Sequence, residues 1–165
     1  MRRRADGPGL RPARPEDARF LSALALRSKG HWGYTPEFME ACRAELSVAE
    51  ADFADPCRHY VVAESDRTIV GYYALERLSP EECELDALFL EPDWIGHGIG
   101  RGLMEHAKAH ARSWGSRSML IQGDPNASAF YLAAGGIQIG ERASDSIPGR
   151  YLPEFRILLD DRIVG

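Results

Sequence analysis

Four glycines at every second position, Gly96, Gly98, Gly100 and Gly102, form the stretch of this sequence best suited to chemistry. They follow an apolar run, Leu88-Phe89-Leu90, that stops at Pro92, and a helical pattern begins among them at Ile99. Glycine accepts backbone angles and close approaches that a β-carbon forbids. A glycine-rich turn opening a helix leaves several N–H groups without backbone partners, all pointing one way. Such a nest, at the positive end of the helix dipole, binds phosphate. Just upstream, Glu84 and Asp86 alternate on one face of a β-rich stretch, and Leu88 and Leu90 continue that face. Two carboxylates on an otherwise apolar strand are costly to bury without a purpose or a partner. They suit a cationic amine, or take its proton directly or through water. The plainer alternative is a solvated strand face, and a bulge would change which of the two points inward.

Other reactive residues carry less. His106 and His110 are spaced i, i+4 on the long helix, but no third ligand accompanies them, so no metal is expected. Cys83 lacks an evident base. Cys42, Cys57 and Cys83 are odd in number and lack metal-ligand spacing, which points to reduced thiols and a cytoplasmic protein.

The elements that must position these residues are legible from periodicity. Residues 9–14 form a short strand ending at Pro15, and Pro15-Glu16-Asp17 opens a helix with Phe20, Leu21, Leu24 and Leu26 at helical spacing. Thr35 caps a second helix with proline at its first position, from about Pro36 to Leu46. Tyr60–Ala63 and Ile69–Leu75 form a hairpin, and Glu82–Leu90 is a third strand. The long helix after the glycines shows Ile99, Leu103, Ala107, Ala111 and Trp114 on one face. Met119–Gln122 is a short strand, Asp124-Pro125-Asn126 caps another helix ending at Gly135-Gly136, and Ile137–Glu141 and Phe155–Leu159 are the last strands. Antiparallel strands in front and a β-α-β unit behind imply one mixed sheet with helices on both faces. A Rossmann domain, alternating from the start, is disfavoured.

A length of 165 residues suits one domain, with residues 1–8 as a flexible, basic tail and 9–165 as the folded unit. A formal net charge of -5 argues against general nucleic-acid binding. No apolar run approaches a membrane span, and none follows Arg2–Arg4 as a targeting signal would require.

The glycine turn Ile95-Gly96-His97-Gly98-Ile99-Gly100, with Asp124 to Gly136 about thirty residues later, resembles the two signatures of the GNAT superfamily of acyl-CoA-dependent N-acetyltransferases. Ile95 stands where that family usually has Gln or Arg, and Gly136 where it has an aromatic residue. The resemblance implies an α/β (α+β mixed) fold: a single domain with a mostly antiparallel mixed sheet, splayed at its centre. It implies an N-acetyltransferase moving an acetyl group from acetyl-CoA to a primary amine by direct attack in a ternary complex. A non-catalytic acyl-CoA sensor is the alternative. Acetyl-CoA is then expected between the Glu84–Leu90 and Met119–Gln122 strands. Leu88 and Leu90 offer it main-chain contacts, Gly96, His97, Gly98, Ile99, Gly100 and Arg101 cradle its pyrophosphate, and Asn126 caps its helix while contacting the donor. Tyr131 is implied as general acid toward the departing thiolate, with Glu84 or Asp86 serving the incoming amine. The acceptor pocket is implied near Ser28–Tyr34, with Trp32 and Tyr34, and near Ser144–Tyr151, where Arg150 suits a carboxylate or phosphate. The partners implied are a small-molecule or peptide amine and, at family level, a second copy in a homodimer.

Overall fold

A four-residue strand, β1 (Gly9–Pro12), is followed by a 3-10 turn at Pro15–Asp17 that leads into α1 (Ala18–Gly30) and α2 (Pro36–Leu46). Thr35 Oγ1 accepts the Phe38 N–H at 3.2 Å, so the expected cap starts α2. Three strands follow, β2 (Arg58–Ser65), β3 (Thr68–Arg77) and β4 (Glu82–Leu90), then α3 (Ile99–Ser113), β5 (Ser118–Gln122), α4 (Ser128–Ala133), β6 (Ile137–Ala143) and β7 (Tyr151–Leu158). The computed structural model describes residues 7–159, so the basic start of the expected tail lies outside them.

The strands form one sheet in the order β1-β2-β3-β4-β5-β7-β6. Neighbours run antiparallel except β4 and β5, which are parallel because α3 crosses between them. The expected mixed sheet is thus present. Its two faces carry separate apolar layers. One packs α3, through Leu103, Met104, Ala107 and Ala111, on Tyr73, Leu85, Met119 and Phe155. The other packs α1 and α2, through Leu21, Leu24, Ala25 and Cys42, on Val62, Tyr72 and Ala74. Phe20, expected among the apolar positions of α1, is 51% exposed and lies beneath the Arg19 guanidinium.

Two boundaries differ from expectation. β7 begins at Tyr151 rather than Phe155, because Pro153 sits where the β5 pairing has ended and its missing N–H costs no ladder bond. The segment after β5 starts as a 3-10 turn, Pro125–Ala127, before α4. Its cap is Asp124, whose carboxylate accepts the Asn126 N–H at 2.9 Å. Asn126 therefore does not cap the helix; it is a residue inside the turn.

The two helical histidines have structural partners. Tyr73 shares a 2.7 Å hydrogen bond with His106 Nδ1, and His110 stacks on His59 at 3.7 Å. Burial, then the neighbouring His110 and His106, lowers His59 from 6.5 to about 4. Between those values the unfolded chain binds the extra proton, so this contribution is full above pH 6.5 and declines as pH falls. Because His59 is only half-buried, the loss at pH 5 is about 1 kcal/mol. Thermal unfolding at pH 7 and pH 5 should show the drop, and His59→Asn should remove most of it.

Candidate active site

The sheet splits where β4 and β5 part. They pair only over Glu82–Leu85 and Ser118–Ile121. Beyond that point β4 carries an extra residue: Leu75 pairs with Leu85 and Ala74 with Ala87, which leaves Asp86 as a bulge. β5 meanwhile ends in the turn Gly123-Asp124-Pro125. The bulge corrects the expected strand face. Leu88 and Leu90 join Cys83 and Leu85 in the α3 layer, whereas Ala87 and Phe89 join the opposite layer. Glu84 and Asp86 therefore do not share a face with Leu88 and Leu90; the carboxylates and the leucines lie on opposite sides of the sheet.

The main chain of β4 is open toward the split. The Glu91 N–H donates to Val70 O on the β3 side at 2.8 Å, so by alternation the N–H groups of Leu88 and Leu90 face β5. Ser28 Oγ accepts that of Leu90 at 3.3 Å. Among the described residues, the Leu88 N–H is left as the free donor of the two.

The glycine turn forms the expected nest. Gly96 and Gly98 have φ of 86° and 83°, the left-handed region that favours glycine. Among the described residues, the N–H groups from Gly96 to Arg101 take no acceptor, and the first return bond is Gly102 N–H to Gly98 O at 3.2 Å. Six successive donors without partners are a site for an oxyanion and fit a pyrophosphate. His97 and Ile99 contribute main chain only: the His97 ring meets Trp94 edge-on, and the Ile99 side chain is core. Arg101 and Ile95 reach the cavity wall with the glycines.

That wall belongs to a cavity of ≈ 780 Å³ that passes through the split, a size ordinary for a small-molecule site. Leu88, Leu90, Gly96, Gly98, Gly100 and Tyr131 line it on the α3 side. Glu84, Asp86, Tyr72, Arg58 and Arg142 line it on the other. Tyr131 is 7% exposed and packs on Phe155. Its hydroxyl bonds no described residue and is not fully enclosed by protein, so it opens into the cavity that Tyr131 lines. Burial, with the charge of Asp124, pushes this phenol up to about 12. It stays a proton donor at every working pH.

The two carboxylates differ. Arg142 Nη2 donates to Glu84 Oε1 at 2.8 Å and to Gln122 Oε1 at 3.1 Å, which ties Glu84 down. Among the described residues Asp86 pairs only with Arg58, at 3.9 Å. Desolvation, then the negative Glu84, raises its carboxyl above the ordinary range. A carboxylate that holds its proton more tightly is the better base. Cys83 is fully buried and burial pushes its thiol up to about 11, so it is no nucleophile at neutral pH.

The residues expected in the acceptor pocket divide. Trp32 lines the cavity. Tyr34 and Arg150 do not; they meet each other beside it, with Arg150 Nη2 donating to the Tyr34 hydroxyl at 2.9 Å. That hydroxyl donates to Asp124 Oδ2 at 2.7 Å and accepts from Asn126 Nδ2 at 3.1 Å. Lys29 Nζ and Arg150 Nη2 lie 3.5 and 3.6 Å from the same carboxylate. Burial works to raise Asp124, but hydrogen bonds from Tyr34 and Asn126 and the charge of Lys29 prevail and hold it below its usual value. Arg142, Tyr72 and the anchoring role of Asp124 have no counterpart among the site residues expected from the sequence. Only Asp124, as an acid before Pro125, carried a local signal.

An amide nest that suits a pyrophosphate, with a buried phenol and two carboxylates at one cavity, supplies what group transfer from a phosphorylated donor needs. The acetyltransferase (GNAT) family profile matches residues 24–135. The chain is 35% identical over 95 residues to N-alpha-acetyltransferase RimI of Mycobacterium tuberculosis, a match spanning 55% of this chain and 60% of that protein. It is 30% identical over 143 residues to peptidyl-lysine N-acetyltransferase YjaB of Salmonella typhimurium, covering 86% and 92% of the two. A GCN5-related N-acetyltransferase structure from Rhodopseudomonas palustris superposes with a TM-score of 0.76 at 23% identity, over 96% of this chain and 99% of that one. The chain belongs to the GNAT acetyltransferase family, whose acyl donor is acetyl-CoA. The family, the fold class and the donor expected from the sequence are borne out. No helix among the described residues is long and apolar enough to cross a membrane.

Proposed function

We propose that this chain moves the acetyl group of acetyl-CoA directly to a primary amine while both are bound. The observation that carries the reading is a continuous cavity through the split sheet, with the amide nest at one face, Asp86 at the other, and the Tyr131 hydroxyl opening into it. When bound, acetyl-CoA supplies an activated acyl group on a moderate leaving group. The N–H groups of residues 96–101 hold its pyrophosphate, with Arg101 adding charge, and the free Leu88 N–H meets the amides of its arm as a further strand would.

On the opposite face Asp86 removes a proton from the incoming ammonium, and Glu84, fixed by Arg142, holds the acceptor's charge. Tyr131 gives its proton to the departing sulfur, which prevents charge from building there. Trp32 contributes an aromatic wall on the acceptor side. Of the relatives named above, one is called after an α-nitrogen and the other after a peptidyl lysine. A peptide or small-molecule amine that arrives as a cation suits the carboxylates here.

A thiol-release assay tests this with acetyl-CoA and three acceptors: an alanine-started peptide, an N-blocked lysine peptide and a diamine. Thiol release matched by acetylated product, well above hydrolysis, is expected for at least one. Tight acetyl-CoA binding with hydrolysis alone would support the sensor reading instead.

A further inference from the structure

Tyr34 and Arg150 stand off the cavity wall, yet they belong to a dense polar cluster with Asp124, Asn126 and Lys29. One phenol oxygen serves Asp124, Asn126 and Arg150 at 2.7, 3.1 and 2.9 Å. Asp124 is held from its other oxygen as well, by the main-chain and side-chain nitrogens of Asn126 at 2.9 and 2.8 Å. We propose that Tyr34 is a positioning residue for the acid Tyr131, acting through Asp124 and its turn; the inference rests on the acid role given to Tyr131 above.

The route is short and mechanical. Gly123 precedes Asp124, and its N–H donates to Pro153 O at 3.0 Å. A β-carbon at Gly123 would stand 2.8 and 2.9 Å from Cε2 and Cδ2 of Tyr131, so the ring lies directly on this main chain. Phe155 holds another side of the ring, at 5.7 Å between centroids. The main chain at residues 123–124 is thus the floor under the acid, and the Asp124 carboxylate fixes that floor. Tyr34 makes the shortest bond to that carboxylate, at 2.7 Å, and ties it to the α1–α2 connection, while Lys29 of α1 and Arg150 of the β6–β7 loop approach the same oxygen at 3.5 and 3.6 Å.

The end of α1 and its connection to α2 grip the other arm of the split as well. Ser28 Oγ takes the Leu90 N–H of β4 at 3.3 Å, while Lys29 and Tyr34 hold Asp124 beyond β5. Segment 28–34 therefore spans the opening between β4 and the β5–α4 turn and sets the distance between them. Transfer chemistry is sensitive to misplacement on the order of 1 Å, so a loosened floor lowers turnover without removing a donor contact.

Tyr34→Phe isolates the effect. The ring stacks on Phe38 at 4.1 Å and 13°, so the variant keeps its packing and loses one oxygen. The test measures kcat and both KM values for the parent, Tyr34→Phe, Tyr131→Phe and the double variant. Tyr34→Phe is expected to lower kcat about tenfold with the acetyl-CoA KM within about twofold of the parent. In the Tyr131→Phe background the same change should alter kcat by less than about twofold, since no acid remains to be aimed. Losses that multiply in the double variant would overturn the proposal, as would a raised acceptor KM at unchanged kcat, which would return Tyr34 to the acceptor pocket. A parent-like kcat for Tyr131→Phe would bring down the acid reading itself and this inference with it, a distinct outcome.

Discussion

Replacing Tyr131 with Phe is expected to lower kcat by about 10²–10³-fold while leaving the acetyl-CoA dissociation constant unchanged. The ring is held by Phe155 and by the Gly123 main chain, and both contacts survive loss of the oxygen. Only the proton for the departing sulfur is lost. With the phenol pushed up to about 12 by burial, it remains protonated well past neutrality. The parent should therefore show no alkaline decline from this group at ordinary assay pH. Steady-state rates from pH 6 to pH 10, with calorimetric titration of acetyl-CoA, check both halves. An unchanged kcat would mean that the sulfur takes its proton from solvent.

Asp86→Asn should produce the second large loss, about 10²-fold in kcat/KM, because an amide accepts no proton. The pH profile gives the sign. The Asp86 carboxyl sits above the ordinary aspartate value, since its partial desolvation at the cavity wall and the adjacent Glu84 disfavour its charge. Activity in the parent therefore fails on acidification earlier than a free aspartate would dictate, and the variant should lose that limb. Glu84→Gln is the control. Its carboxylate is engaged by Arg142 at 2.8 Å, and glutamine retains an oxygen for that bond, so a loss of no more than about tenfold is expected. A reversed order of the two variants would assign the base to Glu84.

How much of this was legible beforehand depended on the range of the interactions. The glycine turn and α3 declare themselves locally, through spacing along the chain. So do α1, α2 and the β2–β3 hairpin, each from its own periodicity. The bulge at Asp86 has no such signature: Glu84-Leu85-Asp86-Ala87-Leu88 alternates well enough as a flat strand, and only its pairing with β3 shows the extra residue. Pro153 hid the first half of β7, because a proline inside a strand is tolerated only where a neighbour has ended, and that neighbour is distant in sequence. The polar cluster was out of reach for the same reason. Tyr34 and Asp124 lie 90 positions apart, and Arg142 and Glu84 lie 58 apart. Arg150 looked like a free cation for a substrate anion because its partners, Tyr34 and Asp124, come from two other loops.

The extra residue in β4 divides labour along a single strand. Leu88 and Leu90 face the side of the cavity that holds the amide nest, and Glu84 and Asp86, just before them, face it from the far side of the sheet, where the proposed chemistry puts the acceptor. Substitutions that retune the amine side need not disturb the grip on the donor. One inserted position thus makes the two substrate specificities separately adjustable, and a chain built this way can exchange its acceptor while keeping its chemistry.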